Sequence, residues 1–228
     1  MLEHIQSRSR YAHVCTNAIL IDQAVLEELH RHGLNSLEMG LDSADEKTHD
    51  ENRQAGNYRH VLRTARRARA LGLQVILNTV ITHEKIANGD MVELVGLARR
   101  TGAILQITPP CAMGFWLGRD DIFLTPEEER FFLTLLQKPN VRSDIFSSFW
   151  GINCTAGREK LAITPYGDVM PCSLVQLFYG NIRERSMKEI WEEILRNPYY
   201  LRGCRKGCLT SFDRDFIREC VTEGKLYG

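Results

Sequence analysis

Val75-Ile76-Leu77-Asn78-Thr79-Val80-Ile81 decides the fold class. The run reads as one continuous strand, without the polar alternation of a strand that has one wet face. Strands of this kind lie in parallel sheets covered on both faces, and parallel neighbours need a helix-length crossover between them. The crossovers are legible on both sides. Upstream, a helix signal runs from about Tyr58 to Ala70 and stops at Gly72, and before it Ser36-Leu37-Glu38-Met39-Gly40-Leu41 reads as a strand. Asp42 to Gly56 between them reads as a long loop. Further upstream, Asp22 caps a helix with Val25, Leu26 and Leu29 at helical spacing and Gly33 at its end, and Tyr11-Ala12-His13-Val14-Cys15 precedes it as a strand. Downstream, Met91 to Arg100 is a helix closed by Gly102, followed by the strand Ala103-Ile104-Leu105-Gln106-Ile107 and the stop Pro109-Pro110. The alternation predicts about four βα units of an α/β sheet or partial barrel over residues 1–110.

Beyond Pro110 the pattern changes. Residues 111–150 read as an irregular linker carrying one helix, which Thr125-Pro126-Glu127-Glu128 opens as a capping box with proline in the first turn. Residues 151–228 read as a small, cysteine-rich α+β unit. In it, the turn Pro165-Tyr166-Gly167 joins Lys160–Thr164 to Asp168–Met170 as a hairpin, and Ser186-Met187-Lys188-Glu189 opens another capped helix. Cys220 falls on a helix expected over Asp213–Glu223.

The composition excludes several classes. Lys+Arg and Asp+Glu number 29 each, so no basic excess points to nucleic acid or a membrane surface. Five arginines on the helix from Tyr58 read as its solvated outer face. No apolar run approaches a membrane span. The start Met1-Leu2-Glu3-His4 has no export-signal character, so a cytoplasmic, reducing location is expected for the seven cysteines, with metal binding or burial rather than disulfides.

Cys154 and Cys172 bracket the hairpin, with twelve residues separating Cys154 from Gly167 and Cys172 lying five positions after that glycine. A hairpin fixes strand register, so two flanking thiolates can meet at one end of the ribbon. Cys204-Arg205-Lys206-Gly207-Cys208 offers a second pair, with cations that favour thiolate and a glycine that admits close backbone. Two thiolate pairs suit either tetrahedral zinc or an iron–sulfur cluster, and the residues alone leave both open. Cys15 and Cys111 have no partner nearby in sequence and read as structural.

Further motifs narrow the choice. Cys154-Thr155-Ala156-Gly157-Arg158, Ile163 through Cys172, Gly180-Asn181-Ile182-Arg183-Glu184 and Ile190-Trp191 resemble the SPASM auxiliary-cluster extension, or its shorter twitch form, found behind the barrel of many radical S-adenosylmethionine enzymes. The first half resembles the same superfamily. Thr16-Asn17-Ala18 is similar to the "TNG" after its third strand. Leu41-Asp42-Ser43-Ala44-Asp45, with Thr48-His49-Asp50 and Arg53, is similar to the stretch after the fourth, and Asn78-Thr79-Val80 to the "NTV" of the fifth.

This resemblance implies the C-terminal part of a partial (βα)6 radical S-adenosylmethionine barrel plus a SPASM/twitch domain, with the site at the strand C-termini. It implies that Thr16, Gly40 and Asn78 lie where S-adenosylmethionine is held, although the family has a hydroxyl residue where this chain has Gly40. It implies one auxiliary [4Fe–4S] cluster on Cys154, Cys172, Cys204 and Cys208, with Cys220 as a further candidate. The family's Cys-x3-Cys-x2-Cys loop does not occur in the 228 residues. The expectation is therefore the iron–sulfur-binding portion of a radical enzyme that modifies a peptide or small molecule, not by itself competent to cleave S-adenosylmethionine, with the barrel's missing N-terminal half as a candidate partner chain. The competing expectation is a non-catalytic [4Fe–4S] or zinc module that works with another chain.

Overall fold

The computed structural model describes residues 1–8, 10–146, 154–202 and 207–224. These divide into two compact units: Met1–Thr108 with Thr125–Ser143, and Pro109–Leu124 with Asp144–Gly228. The stretch 111–150, expected as linker and helix, is thus divided between both units.

The first unit opens with the short helix α1 (Leu2–Gln6) and then alternates strands with helices. Its elements are β1 (His13–Thr16), α2 (Gln23–Arg31), β2 (Ser36–Gly40), α3 (Glu46–Asn52), α4 (Asn57–Ala70), β3 (Gln74–Val80), α5 (His83–Ala87), α6 (Asp90–Arg100), β4 (Ile104–Thr108), α7 (Pro126–Leu135) and β5 (Val141–Arg142). The strands form one sheet in the order β1-β2-β3-β4-β5, every pair parallel. In β3, Val75, Ile76, Leu77 and Thr79 are all buried, so both faces are covered as the apolar run required.

Caps fix the helix starts. The Asp22 carboxylate accepts from Val25 N at 2.8 Å, and Thr125 with Glu128 forms the full capping box. Gly72 sits at φ +85, the left-handed close of α4 that a side chain resists.

Three features depart from the sequence reading. Residues 42–56 are not one loop: α3 lies within them, started by Asp45, whose carboxylate accepts from both the amide and the hydroxyl of Thr48. The short polar helix α5 begins at Thr82. A fifth strand, β5, pairs beside β4 through Leu105–Val141 and Gln106–Arg142.

The second unit contains the hairpin β6 (Ala162–Ile163) and β7 (Val169–Met170), then α8 (Met187–Ile194), α9 (Pro198–Arg202), α10 (Leu209–Phe212) and α11 (Arg214–Phe216), which runs on into a π-helical stretch over Ile217–Thr222. Its core gathers Val169, Val175, Ile190, Ile194, Tyr200, Leu209 and Phe216, with Cys154 and Cys220 among them. Among the described residues no helix is long and apolar enough to cross a membrane.

Candidate functional site

The hairpin turn is closed by polar side chains. Gly167 adopts φ +98, and a Cβ there would lie 2.7 Å from Asn181 Oδ1, so only glycine fits. Asn181 Nδ2 donates to Tyr166 O at 3.0 Å and to Asp168 Oδ1 at 2.9 Å, while Thr164 Oγ1 accepts from Asp168 N at 3.1 Å. With the turn fixed, β7 leads into Pro171 and Cys172. Gly157 N donates to Pro171 O at 2.8 Å and to Lys160 O at 3.0 Å, which draws the segment after Cys154 alongside Cys172.

The third cysteine enters from the start of α10, where Cys208 is the N-cap residue. Cys154, Cys172 and Cys208 thereby line one cavity, together with Thr155 and Ser173. Cys154 and Cys208 are buried and Cys172 is half-buried. The Cys172 thiol is pushed up to about 12, first by burial and then by the neighbouring charges of Cys208 and Cys154, against hydrogen bonds from the Leu174 and Val175 amides. Its sulfur is therefore within electrostatic reach of both others.

Cys204, expected as the fourth ligand, lies outside the described residues. Cys220 is fully buried in the core, and its sulfur accepts from Asn197 Nδ2 at 3.7 Å. Cys111 does have a partner, which sequence reading missed. The two thiols interact, with the Cys208 pKa pushed down and the Cys111 pKa pushed up, while the Cys111 sulfur lies 3.5 Å from Pro109 O. Ser211 Oγ lies 3.3 Å from Cys111, and Ala112 N donates to Thr210 O at 3.2 Å, which seats the segment there. Spacing in sequence gave no sign of this pair, 97 positions apart by the difference of their numbers.

In the first unit the three strand-end positions fall along one edge of the sheet. Gly40 and Asn78 are register partners, and Thr16 ends β1 beside Met39. Thr16 Oγ1 accepts from Ala18 N at 3.1 Å, a turn-capping bond next to Ala18 at φ +65. A Cβ on Gly40 would lie 2.7 Å from Arg53 Nη2. That guanidinium grips Asp42 through two bonds, Nε to Oδ2 at 2.6 Å and Nη2 to Oδ1 at 2.8 Å. Burial pushes the Asp42 carboxyl up, but the Arg53 hydrogen bonds and charge outweigh it and hold the carboxyl below its ordinary range. Arginine thus occupies the space that a hydroxyl side chain at position 40 would need.

Asn78 is engaged with its neighbours: Nδ2 donates to Glu38 Oε1 at 2.5 Å. Glu38 is buried and also receives Gln106 Nε2 at 3.1 Å, and His13 Nε2 lies 3.2 Å from its other oxygen. The His13 pKa is pushed up to about 9, first by hydrogen bonding to Cys15 and then to Glu38, with burial opposing.

Two family models match the chain: the radical S-adenosylmethionine superfamily over residues 1–97, and an iron–sulfur cluster-binding domain, SPASM, over residues 154–220. Among curated proteins, the chain is 25% identical over 203 residues to a PqqA peptide cyclase of Granulibacter bethesdensis, covering 81% of this chain and 54% of that protein. It is 22% identical to an AdoMet-dependent heme synthase of Methanosarcina barkeri, covering 83% and 64%. Among solved structures, SuiB of Streptococcus suis bound to S-adenosylmethionine superposes with a TM-score of 0.60 at 17% identity, over 89% of this chain and 52% of that one. Native anSMEcpe with bound AdoMet gives a TM-score of 0.60 at 16% identity, over 90% and 68%. The chain spans about half the length of the PqqA peptide cyclases it matches. With the parallel sheet at one end of the sequence and the cysteine-lined hairpin at the other, residues 1–97 match the radical S-adenosylmethionine superfamily and residues 154–220 the SPASM iron–sulfur cluster-binding domain.

Proposed function

We propose that this chain holds one auxiliary [4Fe–4S] cluster through Cys154, Cys172 and Cys208, with Cys204 as the fourth thiolate, as part of an enzyme that modifies a peptide by radical chemistry. One observation carries the reading: three cysteines from three separate segments line a single cavity inside the region that matches the iron–sulfur domain. The donor chemistry fits, since iron–sulfur clusters are held by thiolates and a largely buried cage raises the electrostatic cost of changing the cluster's charge. A bound cluster supplies one-electron transfer or a ligand point for substrate. The chain's own residues do the rest. Gly157 and the Asn181-closed turn position two of the sulfurs, and the surrounding apolar core keeps water away from them.

The peptide substrate is supported by relatives named PqqA peptide cyclase and by the SuiB structure bound to precursor peptide SuiA. S-adenosylmethionine binding at the Thr16, Gly40 and Asn78 edge is supported by their common place at strand C-termini, where open α/β sheets take their ligands.

Anaerobic reconstitution with iron and sulfide tests the cluster. Iron and sulfide should be bound in the ratio of one [4Fe–4S] cluster per chain, with broad visible absorption and an electron paramagnetic resonance signal on reduction. Cys154→Ala, Cys172→Ala and Cys208→Ala should each lose most of the iron. Full iron retention in all three, or a colourless protein that takes up only zinc, overturns the proposal.

A further inference from the structure

We propose a second metal site, unrelated to the cluster cage, in the first unit: His13, Cys15 and Glu38 form a mononuclear site of zinc type on one face of the parallel sheet. Strand geometry alone assembles it. Side chains two apart on a strand share a face, which puts His13 beside Cys15 on β1. The parallel register pairs Cys15 with Glu38 and His13 with Ser36, so the carboxylate joins the same face from β2.

The ligand atoms converge as a coordination sphere requires. His13 Nε2 lies 3.2 Å from Cys15 Sγ and 3.2 Å from Glu38 Oε2, and all three ligand atoms fall within 4.8 Å of one another. Tetrahedral zinc with bonds near 2.0–2.1 Å to nitrogen, 2.0–2.2 Å to oxygen and 2.3 Å to sulfur has N···O edges of about 3.4 Å and N···S edges of about 3.6 Å. The two edges at His13 Nε2 need a shift of only a few tenths of an ångström, and the sulfur-to-oxygen edge, about 3.6 Å around zinc, closes from within 4.8 Å.

The surroundings match what a ligated set needs. His13 Nδ1 is 3.0 Å from Ser36 Oγ, which fixes the ring and leaves Nε2 for the ion. Asn78 Nδ2 holds Glu38 Oε1, Gln106 Nε2 donates to both carboxylate oxygens at 3.1 and 3.2 Å, and Gln106 is itself fixed by Arg142 Nε at 2.9 Å, so the carboxylate keeps its orientation with Oε2 toward His13. Glu38 is only 7% exposed and its oxygens are held by Asn78, Gln106 and His13, so a buried carboxylate oxygen is already fixed beside His13 Nε2. His13 and Cys15 are exposed, which gives an entry path and leaves the fourth position to water, the open arrangement of catalytic rather than structural zinc. The mixed imidazole, thiolate and carboxylate set suits zinc, with cobalt(II) as its spectroscopic stand-in.

The test uses the full chain with its iron–sulfur cluster reconstituted, so that the SPASM thiols are occupied, and follows cobalt(II) and zinc binding in wild type, Cys15→Ser and His13→Gln. The expected result is one equivalent of cobalt with a single-thiolate charge-transfer band. Zinc X-ray absorption should show one sulfur among nitrogen and oxygen neighbours. Cys15→Ser should abolish the band and His13→Gln should weaken binding at least tenfold, both with wild-type circular dichroism and with the iron content of the wild type. Uptake unchanged by Cys15→Ser and His13→Gln, a multi-sulfur zinc shell, or no binding tighter than about 10 μM overturns the site and leaves an ion pair of His13 with Glu38.

Discussion

Gly157→Ala should destabilise the SPASM unit by about 3 kcal/mol, and the structure says why. Gly157 sits at φ +70, and a Cβ there would stand 2.5 Å from Ile194 Cγ2. Forcing alanine into the left-handed region costs about 1–2 kcal/mol. Carbon atoms rest at about 3.5–4.0 Å, so Ile194 must move by about 1 Å, an overpacking that typically costs about 1–3 kcal/mol. Reduced freedom of the unfolded chain returns about 0.4–1 kcal/mol. The backbone cannot evade the clash cheaply. Gly157 N is tied to Pro171 O and Lys160 O, and Gly157 O accepts from Trp191 Nε1 at 2.8 Å. The assay is urea unfolding of the full chain followed by tryptophan fluorescence and circular dichroism, in a double-mutant cycle with Ile194→Ala. Removing the Ile194 Cγ2 methyl removes the clash, so Gly157→Ala should cost about 1–3 kcal/mol less in that background. A single variant within about 0.5 kcal/mol of wild type, or the same cost in both backgrounds, refutes the steric argument.

Three further outcomes are expected. Arg53→Met should cost about 1–3 kcal/mol at neutral pH, since it strips a half-buried carboxylate of a two-point charged partner. Because the folded Asp42 pKa is depressed, the bond's contribution is present above the unfolded value of about 3.8 and fades as pH falls through the lower folded value, so urea midpoints of wild type and variant should converge in acid. Gly40→Ser should displace the Arg53 guanidinium from Asp42 and cost about 1–2 kcal/mol, read as the same flattening of the acid limb of stability, and Gly40→Ser combined with Arg53→Met should show no additional loss from the serine. Cys111→Ala should keep the cluster's iron but lower its midpoint potential, because it removes the neighbouring thiol that stabilises charge on the Cys208 sulfur; loss of iron instead would make Cys111 a ligand.

What could be read beforehand tracks how local each signal is. β3 was legible because a long apolar run has one interpretation, and α7 and α8 because their capping boxes lie within four consecutive residues. The hairpin was legible from Pro165-Tyr166-Gly167 for the same reason. Helices α3 and α5 were missed because seven and five mostly polar residues carry too little apolar periodicity, although Asp45 and Thr82 announce their starts. Strand β5 is two residues long and exists only because β4 offers it an edge. The Cys154 and Cys172 pairing across the hairpin is short-range, so spacing suggested it. Cys111 beside Cys208, and His13 and Cys15 beside Glu38, depend on which segments the fold brings together, and sequence spacing carries none of that.

The two proposed sets of metal-binding side chains also differ in what holds them apart, and this bears on what each can do. His13, Cys15 and Glu38 sit on neighbouring strands of a sheet whose spacing of about 4.8 Å is set by backbone hydrogen bonds. Their geometry exists before any ion arrives, so binding there rearranges little. Cys154, Cys172 and Cys208 come from a turn-rich segment, the exit of a two-residue strand and the N-cap of a four-residue helix, elements too short to hold their shape alone. Their thiols lose protons when they bind metal, and Cys172 starts with its pKa near 12. Loading that cage therefore does electrostatic and conformational work together, and the cluster's binding energy serves as folding energy for the unit around it. A rigid mixed-donor site with an open position suits exchange of a bound water or substrate, whereas a sulfur cage closed by its own folding suits a cluster that is kept.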